Sequence, residues 1–447
     1  MKDAWRKYLD GRIARYTSYP SALHFDGSVT GDDLAAKCRE VDLYAPISLY
    51  AHIPFCRQLC WYCGCSMRVE NYYSRALEYV DAMIAEIAMH AAALNGRGRP
   101  QSVHFGGGTP NYLRPEDVAR ILSAIEEQLG LTDSAHLSIE LDPRILRAQD
   151  IENFASLGFD RFSLGVQDFD PDVQTAVNRI QGYDLVESCV SDIRMAGVAD
   201  LSFDILYGLP RQSMTTFSDT LDKVIALDPD RVSVFGYAHL PSAFPRQRMI
   251  DEQSLPTPAL RAEMAELADL RLIGAGYRRI GFDHYAKPGN ALAGAAAAGR
   301  LKRNFQGFAD DPSSTILGIG ASAISFIDGL YAQNEKNVGA YVGRIDRGES
   351  PVVRGLQRTR REAVVAAAIG DLLCGIPTDV GEVLKIAAPA EALQLCAALD
   401  RFEAEGIITW QGDRIRLADD AFLLARTVAA ALDPYAVAPA RGMAYSI

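Results

Sequence analysis

Residues 47–65, ISLYAHIPFCRQLCWYCGC, carry an apolar run straight into four of the chain's eight cysteines. The run 47–53 reads as a β-strand, so Cys56, Cys60, Cys63 and Cys65 follow at its C-terminal end. Further apolar strands follow at SVHFGG (102–107), HLSIEL (136–141), RFSLGV (161–166), ADLSFDILYG (199–208) and RVSVFGY (231–237). Amphipathic stretches separate them, among them SRALEYVDAMIAEIAMHAAAL, RPEDVARILSAIEEQLG, YDLVESCVSDIRMAG and SMTTFSDTLDKVIAL. Strand and helix units of about 30 residues, repeated six times, predict a parallel α/β sheet with right-handed crossovers, closed into a partial (β/α)6 TIM-like barrel. In such barrels chemistry is built at the C-terminal ends of the strands, where the cysteines lie. Pro115 and the acidic residues after it, with Gly130 beyond the last apolar position, mark the two ends of one crossover helix.

The segments outside the strand series read differently. Residues 1–45 form an N-terminal extension expected to cover the active site, 46–285 the barrel, 286–350 a barrel extension and connection, and 351–447 a mainly α-helical domain. In that last domain TRREAVVAAAIGDLLCG, ALQLCAALDRFEAEG and DDAFLLARTVAAALD flank IITWQGDRIRL, which alternates like a hairpin about Gln411, Gly412 and Asp413. The order resembles a winged helix. Its helices carry as many acids as bases, which favours a structural or substrate-covering role over DNA binding.

At 447 residues and 49% apolar, the chain can bury a large core, and its net charge of −12 argues against nonspecific affinity for nucleic acid or an anionic membrane. No apolar run approaches the roughly 20 residues of a membrane span, and the N-terminus MKDAWRKYLDGRIARY lacks a signal peptide's apolar core, so the expected location is the cytoplasm. In a reducing compartment, clustered cysteines hold metal or do redox chemistry rather than form disulfides. Cys38, Cys189, Cys374 and Cys396 are scattered through apolar helical contexts and read as small buried side chains.

Cys56, Cys60 and Cys63 have three and two residues between them, so one loop can wrap three thiolates around a compact inorganic group. Structural zinc draws on two separated pairs, and no second CxxC is present. Close spacing of several cysteines is instead the signature of an iron–sulfur cluster, which takes four thiolates. Cys65, two residues beyond Cys63 on a strand-like backbone, is expected to turn to the opposite side of the loop, leaving one iron open to a ligand.

The CxxxCxxC loop after a first barrel strand resembles that of radical S-adenosylmethionine enzymes. The longer string YAHIPFCRQLCWYCGC resembles the oxygen-independent coproporphyrinogen III oxidases, as do RYTSYP (15–20), HFGGGTP (104–110), IELDPR (139–144), LGVQDF (164–169), DILYGLP (204–210), YAHLP (237–241), RNFQGF (303–308) and LGIGASAIS (317–325). The resemblance spans nearly the whole chain. It implies one 4Fe-4S cluster held by Cys56, Cys60 and Cys63, and two S-adenosylmethionine molecules. Tyr50, Tyr62, Gly107, Glu140 and Ile324 match positions around the first molecule; Gly108, Thr109, Gln167, Arg179, Asp204 and Ala238 match positions around the second. Tyr50, His52 and Cys65 are the candidate catalytic residues, Cys65 through substrate contact or electron transfer.

Residue chemistry points the same way. Three glycines, 106–108, clear side chains from a strand end where a ligand must approach backbone, and Thr109 adds a hydroxyl. Glu140 suits a ribose hydroxyl, and Trp61 and Tyr62 offer aromatic faces beside the cysteines, although packing beneath the loop is the plainer reading of both. GIGASA lacks the acidic residue and the βαβ unit of a dinucleotide fingerprint, which excludes a nicotinamide reading. The implied reaction converts two propionates of coproporphyrinogen III to vinyl groups, with a low-potential donor such as a flavodoxin or ferredoxin, on a monomer that binds neither nucleic acid nor membrane. A haem-binding chaperone and a radical methyltransferase of the two-cofactor type are the alternatives. The fourth cysteine, RYTSYP and NFQG rank the oxidase above the chaperone.

Overall fold

Twelve strands form one mixed sheet in the computed structural model. In chain order they are β1 (Pro46–Ile53), β2 (Arg99–Gly107), β3 (His136–Leu141), β4 (Phe159–Gln167), β5 (Asp200–Tyr207), β6 (Arg231–Gly236), β7 (Arg278–Ile280), β8 (His284–Ala286), β9 (Thr315–Ile319), β10 (Ile324–Ile327), β11 (Leu330–Asn334) and β12 (Val352–Gln357). Across the sheet the order is β7-β8-β6-β5-β4-β3-β2-β1-β9-β10-β11-β12. β1 to β6 and β9 run parallel to one another, and antiparallel strands extend the sheet on both flanks. The structure describes residues 2–436 other than Asp10, Gln306 and Pro312, with the backbone alone of Arg12, Ala444 and Tyr445. Gln306 of the RNFQGF stretch and most of 437–447 therefore lie outside the described residues. Among those described, no helix is long and apolar enough to cross a membrane.

All six expected strands form, but the parallel set has a seventh member. β9 pairs with β1 through Thr315↔Ile47 to Ile319↔Ala51, so the cysteine-bearing strand is flanked on both sides rather than lying at an edge. The crossover helix Pro115–Leu129 begins at its proline and ends at Gly130, which takes φ 72°. Two helices not expected, Pro258–Gly274 and Val338–Asp346, complete the outer layer.

Period-two alternation sorts the parallel strands into two faces. Leu49, Ala51, Val103, Phe105, Ile139, Phe162, Leu164, Leu201, Phe203 and Val232 are fully or almost fully buried. Burying a large apolar side chain of this kind contributes about 1.5–3 kcal/mol. The opposite positions are polar or small: Ser48, Tyr50 and His52 on β1, Ser102, His104 and Gly106 on β2, Ser138 and Glu140 on β3, Ser163 and Gly165 on β4, Asp204 on β5 and Ser233 on β6. This second face of the sheet is hydrophilic, which suits bound polar ligands. Its N-terminal end is stoppered by residues 309–311. Asp311 accepts hydrogen bonds from Ser48 (2.6 Å) and Ser102, and Asp310 takes a two-pronged hydrogen bond from Arg161 (3.1 and 3.0 Å).

Beyond β12, helices Arg360–Leu373, Val380–Ile386 and Pro389–Ala404 pack with a three-stranded sheet of Thr378–Asp379, Ile408–Gln411 and Arg414–Leu417. The last two strands form the expected hairpin, with Gly412 at φ 64° as the first turn residue. Cys396 corrects an expectation. Cys38, Cys189 and Cys374 are buried, but Cys396 is exposed. The buried stripe of its helix is Leu395, Leu399 and Phe402, and Cys396 sits about 100° round from Leu395. The N-terminal segment bridges the two parts: Trp5 donates to Glu405 O (3.0 Å), Tyr16 to Asp433 (3.0 Å), and Arg15 to Gly236 O at the end of β6 (2.9 Å).

Candidate active site

The cysteine loop leaves β1 at Ile53 and is pinned at several points. Residues 55–56 pair with 68–69, and Arg68 N–H donates to Pro54 O (2.7 Å). Trp61 N–H donates to Val177 O (2.9 Å) and Asn178 Nδ2 to Leu59 O (2.7 Å). Gln247 Nε2 donates to Tyr62 O (2.9 Å) and Arg246 Nη2 to Cys65 O (2.9 Å). Loop carbonyls and amides are thus satisfied by the loops after β4 and β6, which fixes the thiols relative to the sheet. Trp61 and Tyr62 pack on Val173, Val177, Leu209, Tyr237 and Ile250.

Each thiol has its own neighbour. Cys56 lies 3.2 Å from the Thr109 hydroxyl, and burial pushes its pKa up to about 12. Cys60 Sγ receives Arg144 Nη2 at 3.4 Å and Arg179 Nη1 at 3.6 Å. Arg144 is clamped by Asp142 (2.9 and 2.6 Å), which also faces Arg179 at 3.4 Å. Cys63 is held down to about 6, first by hydrogen bonding from Cys65, with Arg246 and Arg179 adding and burial opposing. Cys65 departs from expectation. Its N–H donates to Cys63 Sγ (3.4 Å), its thiol is raised mainly by Cys63, then by desolvation, with Glu140 and Cys56 adding, and the residue as a whole is exposed. It therefore faces the same space as the other thiols. Residues 57–67 are turns and bends rather than strand, so strand alternation does not govern where Cys65 points.

Behind the loop lies a network on the inner face. His52 Nε2 sits 2.9 Å from Ser66 O, which can only accept, so Nε2 carries the proton. Its Nδ1 then accepts from Tyr50 OH (3.0 Å). Burial lowers the His52 pKa and raises that of Tyr50, keeping both neutral. Tyr50 stacks on His104 (centroids 5.8 Å apart), and His104 Nε2 meets Glu140 Oε1 at 3.2 Å. The second oxygen of Glu140 accepts from Gly107 N–H (3.1 Å), while its side chain stays 42% exposed towards the interior. Gly107 has φ 117°, and a Cβ there would lie 2.6 Å from the His52 ring; at Gly108 it would lie 3.0 Å from Pro54 and Phe55 backbone. These glycines are required by close approach.

The structure places most of the sequence-derived residues on, or just after, the parallel strands. Gln167 takes φ 66° at the end of β4. Its amide and the Arg179 guanidinium both crowd Gly165, where a Cβ would lie 2.9 Å from each, and Arg179 Nη2 donates to Gly165 O (2.6 Å). Asp204 accepts from Ser163 (3.3 Å) and is pushed up to about 6 by burial and then by Glu140. Ala238 enters through its carbonyl, which accepts from Gln247 (3.1 Å). Ile324 packs its backbone against Gly318 of β9, the partner of Tyr50. Sequence reasoning overlooked Arg144, Arg246, Gln247 and Asn178. For Arg144 the signal was present, since IELDPR places an arginine two residues after an acid at a strand end.

The donor set fits an iron–sulfur cluster. Three thiols sit on one pinned loop, Cys60 accepts from two guanidinium groups, and the buried Arg144 Nη1 and Arg179 Nε have no partner among the described residues.

Residues 50–224 match the Radical SAM superfamily, the class that this cysteine loop and parallel sheet define. The chain is 38% identical over 430 residues to the oxygen-independent coproporphyrinogen III oxidase of Bradyrhizobium diazoefficiens, covering 96% of each. It is 36% identical over 440 residues to that of Escherichia coli, covering 97% of this chain and 95% of the relative. The solved structure of coproporphyrinogen III oxidase from Escherichia coli, described as a radical SAM enzyme, superposes with a TM-score of 0.89 over 95% of this chain and 100% of that one, at 34% identity. This chain belongs to the oxygen-independent coproporphyrinogen III oxidase family.

Proposed function

We infer that this protein catalyses the oxygen-independent oxidative decarboxylation of coproporphyrinogen III to protoporphyrinogen IX in haem biosynthesis. The observation that carries the reading is the thiol loop pinned at the polar end of β1, in a chain that aligns nearly end to end with oxidases of that name. In each of two rounds a propionate loses one hydrogen atom, carbon dioxide and one electron and becomes a vinyl group. A 4Fe-4S cluster with S-adenosylmethionine supplies the 5′-deoxyadenosyl radical that takes the hydrogen.

Cys56, Cys60 and Cys63 would hold the cluster, with Arg144 and Arg179 donating to the Cys60 sulfur. Such donors tune reduction potential. One S-adenosylmethionine would lie against Tyr50, Tyr62, Gly107, Glu140 and Ile324. Glu140 offers a carboxylate to a ribose diol, and the glycines let backbone approach the ligand. A second would lie against Gly108, Thr109, Gln167, Arg179, Asp204 and Ala238, where Asp204 is a half-buried acceptor for a cationic or hydroxyl group. Neutral His52 ties β1 to Ser66 and orients the Tyr50 hydroxyl. Cys65, exposed beside Cys63, would meet substrate or pass an electron. We read β1–β6 as a partial barrel, the 360–417 unit as winged-helix-like, and the N-terminal segment as the cover that keeps water and stray hydrogen donors from the radical. A low-potential flavodoxin or ferredoxin would deliver electrons to this cytoplasmic, monomeric enzyme.

The test is anaerobic incubation of reconstituted protein with reductant, S-adenosylmethionine and coproporphyrinogen III. About two equivalents of carbon dioxide per protoporphyrinogen IX formed are expected from the two propionates lost. Tight haem binding without turnover would instead assign a chaperone.

A further inference from the structure

A cavity of about 100 Å³ opens beside the ends of β5 and β6, bounded by the N-terminal segment, residues 282–303 and the C-terminal unit. Among the described residues that line it are Arg15, Arg303 and Arg426, with Asp283 the one carboxylate. The Arg303 side chain is 8% exposed and stands 3.9 Å from Asp283, too far for a close ion pair. Its Nε and Nη1 have no hydrogen-bond partner. Its guanidinium stacks on Phe282 (4.9 Å) and Phe308 (4.6 Å), which hold it in place. Arg15 is exposed and is tethered by its hydrogen bond to Gly236 O (2.9 Å). Desolvation, with Arg426 second, pulls its pKa down to about 10.

A second cavity of about 140 Å³ shares Thr17 and Arg303 with the first and adds Arg358. Arg358 Nε is likewise buried without a partner, and its guanidinium lies over Phe326 at 4.5 Å.

Buried guanidinium nitrogens without a partner, as on Arg303 and Arg358, are costly unless an anion completes them. Arginine's planar fork, rather than lysine's point charge, matches a carboxylate. The remaining walls of the first cavity include Tyr207, Phe235, Phe282 and Phe422, which suit a short hydrocarbon stem. At roughly 30 Å³ per water, each cavity has room for about three to five waters. That is the scale of a carboxylate-tipped arm and far below that of a tetrapyrrole ring.

We propose that the two adjoining cavities hold propionate arms of the tetrapyrrole that are not reacting, with Arg303 between them. The inference rests on the coproporphyrinogen reading above and deepens it. Two of the four propionates survive in the product, so these anchors would grip substrate, half-converted intermediate and product alike.

The test titrates anaerobically reconstituted enzyme with coproporphyrin III, protoporphyrin IX and coproporphyrin III tetramethyl ester, following porphyrin fluorescence. Arg303→Gln and Arg15→Gln are expected to weaken both free acids at least tenfold and to leave the ester's Kd unchanged, and Arg303→Lys to fall between. Melting midpoint and iron content report folding; if Arg303→Gln fails to fold, Arg15→Gln and the charge-keeping Arg303→Lys carry the comparison. Unchanged Kd for the free acids, or equal loss for the ester, would overturn the proposal. So would a loss confined to coproporphyrin III, which would place a reacting arm there. Arginine-dependent binding by a wild type that forms no vinyl product would sink the decarboxylase reading and keep the carboxylate site.

Discussion

Replacing Gly107 by alanine tests whether the strand end was cleared for close approach. The φ of 117° is one that L side chains rarely adopt, and a Cβ would stand 2.6 Å from His52 Cε1 and 2.8 Å from Nδ1. Backbone strain of this kind costs about 1–3 kcal/mol. Displacing the His52 ring breaks its bonds to Ser66 O and Tyr50 OH, each worth about 0.5–1.5 kcal/mol net. Together these give about 2–6 kcal/mol, or roughly 4–12 °C in melting midpoint at about 2 °C per kcal/mol for a large chain. Gly130→Ala is the control: its φ is 72°, but nothing lies within 4 Å of the added Cβ, so strain of about 1–2 kcal/mol acts alone. Differential scanning fluorimetry of the two apo variants, with S-adenosylmethionine binding measured on reconstituted protein, separates the terms. The reasoning fails if Gly107→Ala melts no lower than Gly130→Ala and binds the cofactor as well as wild type does.

Other perturbations follow from the same geometry. Asp204 is pushed up to about 6 by burial and then Glu140, so its ionisation costs stability as pH rises from the unfolded value of about 3.9 and the cost is complete above 6. Asp204→Asn should raise denaturant stability at pH 7 by about 1–3 kcal/mol while lowering turnover, and a less stable variant would contradict this. His90 is buried, yet bonds to Cys38 and Glu86 overcome burial and hold its pKa up to about 10. Its contribution is therefore full below about 6.5 and lost as pH rises towards 10, with a slope of up to about 1.4 kcal/mol per pH unit. Denaturant melts of His90→Gln between pH 6.5 and 9.5 should show that slope flattened. Arg144→Met removes a cation 3.4 Å from Cys60 Sγ, which should lower the cluster's midpoint potential by about 50–100 mV in an EPR-monitored titration, at 59 mV per tenfold.

The parallel strands were legible because each is an apolar run of ordinary length, six to ten residues, bounded by loops. β9 was missed: TILGI is only five residues long and takes its place by pairing with β1, more than 260 positions away, which local periodicity cannot report. β7, β8, β10 and β11 are shorter still or equally brief. The loop thiols were legible from spacing. Their cationic surroundings were not, because Arg144, Arg179 and Arg246 come from three different loops and converge only in the fold. Cys65 was misjudged because strand alternation was carried into a segment of bends. The polar inner face was written in the sequence as serines and acids alternating with apolar residues, but only pairing shows that Ser48, Ser102 and Asp311 meet.

Pulsed ENDOR on anaerobically reconstituted, reduced protein carrying carboxyl-13C-labelled S-adenosylmethionine asks whether the loop leaves an iron vacant. Coupling between the label and the cluster spin, with about four irons per chain, is the predicted result. A cluster that shows no coupling to the bound label, or zinc in place of iron, would contradict it.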